Sequence, residues 1–485
     1  MIQNSDSALL NLDIGEAVRY RTEYGFLETA SLAVRFNFPI PPESEADLHE
    51  LRKTDAHERQ HLFQTAATSY GFYFRSLRYL QSRLMLDILH ILQHDHGLKV
   101  TYPLEAFLRR LRPRAKYIDV LSRLRGWLII EFTLLCFEGS YSQWTLPILR
   151  QFYGSPGMAP AFAEIDQNLS RVFAGRKTLA EYSPWVDPSD DGRAREDVFL
   201  ITKATTDVHA DVRSVLESGA TIAEFWGADS ESLAAVKAGK PEGFYWSWIH
   251  EASRRLMPDL SFPEFTKTFS ALVDLALNGP ILPQQSGIRV PGSPIMDVHP
   301  AYRLLKGIMS VRRVGPMRSM NDYVRFTEDV CDLNRWPSLT DTVRTTGAQM
   351  AGPYDFAEDF LFAHSLQVRT RHPSAFLSSL SWTDGWPEEE AKSYLTFPIM
   401  EFSNRKFIHD DRSLVESLLL AYIVDSYLRL ILLSNGRTVQ LPYSASDADI
   451  ARLVELAESY WEVFEVKLPP IFLEGKPRIA LAHRM

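Results

Sequence analysis

Every second residue between positions 32 and 40 is a large apolar one, Leu, Val, Phe or Ile. This period of two predicts a β-strand at 32–38. Pro39 cannot donate a hydrogen bond to a neighbouring strand, so the strand should lie at a sheet edge or end at this proline. A mixed helical pattern occupies residues 14–30 before it. We expect 32–38 to form an edge strand that could hold an extended peptide by strand addition.

Most of the chain follows helical spacing instead. Ser44 and Asp47 resemble a capping box, in which a side-chain oxygen accepts a backbone hydrogen bond at the start of a helix. Helix-forming residues continue from there to about position 94, and Gly71 is the only breaker inside this stretch. The pattern therefore predicts either two helices or one bent helix.

Further helices are predicted at 205–225, after residue 300, and at 414–433, where a core helix of the C-terminal part is expected. Short strands are predicted near 438–441 and 466–473. Together these elements predict a mainly α protein with a small β component, an α+β fold.

Two stretches rich in Pro, Gly and polar residues predict linkers, at 184–196 and at 278–294. A chain of 485 residues is long enough for more than one packed unit. We therefore divide it into a region at 1–278, with an internal linker near 184–196, and a mainly helical C-terminal lobe at 295–485.

Composition narrows the class of protein. Hydrophobic residues make up 45% and charged residues 23%, which is close to globular averages and excludes disordered classes. The net charge of −9 offers no general attraction for a polyanion, so no nucleic acid partner is expected. Two cysteines are too few for a disulfide framework, and the first residues do not form a signal-peptide pattern. No uncharged stretch is long enough for a bilayer span, so we expect a cytoplasmic protein without a membrane partner.

The main chemical signal is the sequence His57-Glu58-Arg59-Gln60-His61, which fits the pattern H-E-x-x-H. Residues i and i+4 of a helix project from the same face, so the two imidazoles can bind one metal ion. The glutamate between them can then accept a proton from a water molecule that zinc has made acidic. The pattern predicts Zn2+ as the cofactor, His57 and His61 as ligands, and Glu58 as the general base.

A simpler interpretation of the motif stays open at this point, namely a solvated helix face. The motif overlaps a charged run that consists of Arg52, Lys53, Asp55, Glu58 and Arg59. Against this, a stripe of polar and small residues continues along the same face, through Gln64 and Thr68, into otherwise apolar sequence. Polar residues at the buried end of a helix need partners, which favours a functional site.

The stretch at 57–64 reads H-E-R-Q-H-L-F-Q, and 68–71 reads T-S-Y-G. Together they resemble little-characterised bacterial proteins of gluzincin type, in which H-E-x-x-H-x-x-Q is followed by T-x-x-G. The resemblance implies a zincin-like metal-binding region within 1–278 and zinc-dependent cleavage of a peptide or protein substrate. Arg59 departs from the usual aromatic or aliphatic residue at its position, which weakens the case for peptidase activity more than the case for metal binding.

Two imidazoles and a water molecule leave a tetrahedral zinc ion one protein ligand short, and a gluzincin supplies a glutamate from a later helix. Residues 216–225 look like the E-x-x-A helix of such families. Glu217 is the expected third ligand, and Glu224 is the alternative. Gly219 and Ala220 would let this helix approach the motif helix closely.

Other residues are weaker candidates. His209 or Asp55 could orient a ligand from outside the site. Helix capping explains the histidines at 90, 94 and 96 more simply than a second metal site does. Within the aromatic run at 244–248, Tyr245 could donate to a developing oxyanion, as could His250, although core packing is the simpler role.

The leading hypothesis is a zinc-dependent hydrolase, most simply a gluzincin-type peptidase. One alternative is a carboxylate-bridged di-iron protein, because a helical Glu28 before Glu58-x-x-His61 would form half of a ferritin-like site. Another is a non-catalytic helical interaction protein whose motif is coincidental or decayed.

Overall fold

A computed structural model describes residues 25–28, 33–72, 92, 94–96, 107–108, 110–112, 212–225, 246–256, 260–279, 300–349, 365–374, 376, 399–402, 407–409, 438–439 and 472–473. This part of the chain is mainly helical, which confirms the mainly α character of the predicted fold class. The predicted helix at 414–433 and the linker at 184–196 lie outside the described residues, as does nearly all of the linker at 278–294.

Four short strands form one sheet in the order β1-β2-β3-β4, namely β1 (Gly25–Glu28), β2 (Ala33–Phe36), β3 (Ile399–Phe402) and β4 (Phe407–His409). β2 pairs with β1 in antiparallel orientation and with β3 in parallel orientation. β3 pairs with β4 in antiparallel orientation. A separate parallel pair joins β5 (Thr438–Val439) to β6 (Phe472–Leu473).

The sheet corrects two expectations for the start of the chain. The segment at 32–38 is not an edge strand, because β2 has a neighbour on each side and cannot accept an added peptide strand. It ends at Phe36, before Pro39 could interrupt the ladder. The helix indicated by the pattern at 14–30 is wrong for the last part of that range, since residues 25–28 form β1.

The helix that carries the H-E-x-x-H motif is α1 (Glu45–Ala66). It begins as predicted, because the Ser44 side chain accepts a hydrogen bond from the backbone nitrogen of Asp47. It ends before Gly71, where the Thr68 hydroxyl donates to the Gln64 carbonyl oxygen and accepts from the Gly71 nitrogen. A Cβ at position 71 would lie 2.0 Å from the Thr65 carbonyl oxygen, so this close return of the chain requires glycine.

Six further helices of ten residues or more follow in the described part: α2 (Val212–Glu224), α3 (Ser247–Leu256), α4 (Phe262–Leu277), α5 (Pro300–Val314), α6 (Tyr323–Asn334) and α7 (Leu339–Gln349). A helical segment also covers residues 365–371. α2 packs between α1 and α4, and α4 packs on α5. Fully buried side chains such as Trp248 and Phe269 fill the core between these helices. α2 confirms the helix predicted at 205–225 for residues 212–224, and residues 205–211 lie outside the described part.

A buried ionic and polar network fixes the end of α1. Arg369 pairs with Asp274 and also donates to the carbonyl oxygen of Ala67. The side chain of Asn278 accepts from the Ser69 backbone nitrogen at 2.9 Å. These contacts link residues on the two sides of the predicted boundary at 278–295, and the division into two domains stays a prediction.

Within the described ranges, no helix combines the length and the apolar character needed to cross a membrane.

Candidate metal centre

α1 carries both histidines of the motif on one face, where His57 is buried and His61 is partly buried. His57 and Glu58 are only 6% and 2% exposed, and Gln64 is 1% exposed. The two imidazole rings meet edge to face, and their Nε2 atoms lie 3.2 Å apart. This face is therefore not a solvated one, and the simpler interpretation of the motif is wrong for these positions.

α2 adds a carboxylate to the pair of imidazoles. Oε2 of Glu217 lies 3.3 Å from Nε2 of His61 and 3.4 Å from Nε2 of His57. One ligand atom from each of the three residues lies within 4.8 Å of the other two, so the group could hold a metal ion. The structure thus brings together the three residues that the sequence nominates as ligands.

Glu224 takes a different position from the one considered for it. Its Oε1 lies 2.7 Å from Nδ1 of His57, on the opposite side of the ring from Glu217. A carboxylate there can only accept, so it favours a proton on Nδ1 and leaves Nε2 to face Glu217. Glu224 therefore orients His57 instead of joining the three converging atoms.

Gln64 has the corresponding place beside His61; the sequence interpretation placed it on the motif face but assigned it no specific role. Its Oε1 lies 2.8 Å from Nδ1 of His61, and its Nε2 donates to the Leu216 carbonyl oxygen at 2.9 Å. The available signal was its spacing, because a residue three positions after His61 lies on the same helix face.

The carboxylates around the two imidazoles surround them with negative charge. Burial disfavours an imidazolium at His57, but Glu217, Glu224 and Glu58 outweigh that cost and hold its pKa well above the usual range. Burial also acts against ionised Glu217, yet the charges and hydrogen bonds of His61 and His57 bring its pKa well below the usual range. Positive charge is thus strongly favoured between these side chains, whether as protons or as a divalent cation.

The unusual Arg59 has a partner on its own helix. Its guanidinium lies 2.7 Å from a carboxylate oxygen of Asp55, one turn earlier. This pair neutralises a positive charge that would otherwise oppose a cation nearby. In the described part of the chain the side-chain contacts of Asp55 go to Arg59, and none goes to His57, His61 or Glu217. This differs from the expectation that Asp55 orients a metal ligand. His209, the other expected orienting residue, lies outside the described part.

Among the described residues, none of the weaker candidates belongs to the group of converging ligand atoms. His94 is exposed and lies 3.5 Å from Asp95, whereas His96 packs edge to face on Phe107. His250 lies on α3, and Tyr245 and His90 lie outside the described residues. Glu28 is the last residue of β1, so it is not the helical carboxylate that the di-iron alternative requires.

No protein-family model matches the chain, and it has no match among curated proteins or solved structures.

Proposed function

We propose that the protein is a zinc-dependent hydrolase, most simply a gluzincin-type peptidase. One observation carries the proposal: two imidazole Nε2 atoms and one carboxylate oxygen converge, while the opposite nitrogen of each imidazole is already hydrogen-bonded. Metal-binding histidines characteristically use their two nitrogens in this way.

Zinc is the ion that best suits these donors. Two nitrogens and one carboxylate oxygen are a common set for catalytic zinc, and they leave one position for water. Bound zinc would lower the pKa of that water toward about 7 and polarise a substrate carbonyl. The proximity of three carboxylates supports a divalent cation over a neutral ligand.

Glu58 is the residue we assign to proton transfer. It adjoins His57 in sequence, is buried, and acts on His57 through its charge. As general base it would take a proton from the attacking water, and as general acid it would return that proton to the leaving amine. The chain itself thus supplies the ligands, their orientation and the proton carrier.

A peptide substrate is supported by the surroundings of α1. This helix packs on β1 and β2, an arrangement compatible with the proposed zincin-like region. Among the described strands β1 pairs only with β2, so its other edge is the place where an extended peptide could add a strand. The proposed binding edge therefore moves from 32–38 to 25–28.

Elemental analysis of the full chain, purified without an affinity tag or chelator, tests the metal site. We expect about one zinc per chain, and its loss in a His57→Ala, His61→Ala double variant, because both imidazoles would be ligands. Well under half an equivalent of any transition metal in the wild type would refute the proposal. Iron with an oxo-bridge absorption band would favour the di-iron alternative.

Peptidase activity is tested separately with a mixture of unstructured peptides. Zinc-dependent cleavage that the double variant lacks supports the proposal. One bound zinc without any hydrolysis would leave a metal-binding interaction protein as the better interpretation.

A further inference from the structure

We infer that Gln64 is a positioning residue that fixes the tautomer of His61 and couples that ring to the helix of Glu217. This inference rests on the proposed function and deepens it, because it assigns a role to a residue that contacts a ligand without being one. It depends on a chain of three groups: the Leu216 carbonyl, the Gln64 amide and the His61 imidazole.

The first step fixes which way the Gln64 amide points. The backbone carbonyl oxygen of Leu216 can only accept a hydrogen bond, so the amide group 2.9 Å away must present its NH2. The oxygen of the same amide then faces His61. The backbone of α2 thereby removes the ambiguity between the two ends of a glutamine side chain.

The second step fixes the proton of the imidazole. The amide oxygen of Gln64 can only accept, so Nδ1 of His61, at 2.8 Å, must carry a hydrogen. In the neutral ring the lone pair then lies on Nε2, which faces Glu217 at 3.3 Å. Nε2 is therefore available as a metal ligand only while the Gln64 amide keeps this orientation.

The third step is mechanical. Leu216 directly precedes Glu217, so the bond to the Leu216 carbonyl also sets how closely the carboxylate approaches His61. Gly219, one turn of α2 further on, gives the amide its space, since a Cβ there would lie 2.7 Å from Nε2 of Gln64. His57 needs no second contact of this kind to fix its proton, because both oxygens of the Glu224 carboxylate are acceptors.

Three variants of the full chain test this role: Gln64→Met, Gln64→Glu and Thr68→Val. Gln64→Met keeps the size and removes both hydrogen bonds. Gln64→Glu keeps the acceptor for His61, loses the donor to Leu216 and adds a negative charge beside the ring. Thr68→Val is the matched control, because it also removes two buried hydrogen bonds, one to the Gln64 backbone carbonyl and one from the Gly71 nitrogen, and leaves the Gln64 amide in place.

Two measurements apply to each variant. Zinc affinity is measured by competition with a chromophoric chelator, and the tautomer of His61 by ¹⁵N NMR of the imidazole in chelator-treated protein, assigned with His61→Ala. We expect Gln64→Met to weaken zinc binding by about 10–100-fold and to mix the two tautomers. Gln64→Glu should keep the Nδ1–H tautomer and lose less affinity, and Thr68→Val should resemble the wild type in both.

Either of two results would overturn the role of Gln64 while zinc binding by the wild type stands. One is a Gln64→Met protein with unchanged imidazole shifts, and the other is an equal loss of affinity in Gln64→Met and Thr68→Val. If the wild type binds no zinc, the proposed function fails, and the tautomer of His61 in Gln64→Met still decides the inference by itself.

Discussion

Gly219 lies so close to Gln64 that an added Cβ would come within 2.7 Å of the amide nitrogen and within 2.8 Å of Cγ1 of Val273. A glycine inside α2 costs helix stability of about 0.5–1 kcal/mol relative to alanine. Its presence is therefore explained by packing, since it lets the backbone of α2 approach the helix that carries the two histidines.

Gly219→Ala should lower zinc affinity by about 10–100-fold, because the new methyl group displaces the amide that orients His61. Gly347→Ala is the control. It also replaces a glycine within a helix, but its Cβ would meet Thr370 at an ordinary 3.5 Å. Chelator competition should show no change for Gly347→Ala. Equal zinc affinity in both variants would contradict the packing argument.

Replacing Glu217 by alanine should lower zinc affinity more than replacing Glu224 does. Glu217→Ala removes one of three converging ligand atoms, so we expect the larger loss of zinc affinity. Glu224→Ala removes the acceptor on Nδ1 of His57 and should weaken binding by about 10–100-fold. The sequence had offered Glu224 only as the alternative third ligand. Titration with a chelator decides the order, and a reversed order would make Glu224 the better third ligand.

Glu58→Gln should retain zinc and lose turnover. The change keeps the shape of the side chain and removes the basicity needed for proton transfer, worth about 10²–10⁴-fold in rate. Glu224→Gln is the matched control, because an amide oxygen can still accept from His57 and most activity should remain. Peptide hydrolysis at equal zinc occupancy gives the comparison. Full activity in Glu58→Gln would exclude the proposed mechanism, and loss of its metal would point to Glu58 as a ligand.

The buried ion pair of Asp274 and Arg369 should contribute more to the free energy of unfolding than an exposed ion pair does. Both side chains are at most 1% exposed, and burial raises the pKa of Asp274 against the opposing charge of Arg369. Arg369→Met leaves that carboxylate with only the neutral partners Tyr323 and Asn278 and no buried opposite charge, so the free energy of unfolding should fall by about 3–5 kcal/mol. Arg344→Met breaks an exposed pair with Asp341 and should change it by about 1 kcal/mol or less. Urea unfolding measures both, and similar values would contradict this assignment.

Cys331 should not react with thiol reagents in the native protein. Burial raises its pKa to about 12, so very little thiolate is present at neutral pH. In a Cys136→Ala variant this is the only thiol, and it should react with a thiol reagent only after denaturant opens α6. Rapid reaction in native buffer would show that α6 opens readily.

Local patterns in the sequence were sufficient for the start of α1, for α2 and for the pair of histidines. The Ser44 cap and the i, i+4 spacing of His57 and His61 depend on neighbours along one helix, which a sequence displays directly. Glu217 was also nominated from its own segment, with the nearby glycine as the sign of close packing. Each of these features depends on residues within a few positions of one another.

Only the tertiary structure decided which acceptor His57 meets, what anchors the Gln64 amide beside His61, and where the sheet has its edges. Glu224 reaches His57 across 167 positions of the chain, and the second neighbour of β2 comes from residues 399–402. Such contacts follow from how whole helices and strands pack, and no local period records them. The sequence therefore determined that two histidines share one face of a helix, whereas packing across α1 and α2 decided that Gln64 and Glu224 hold them in place.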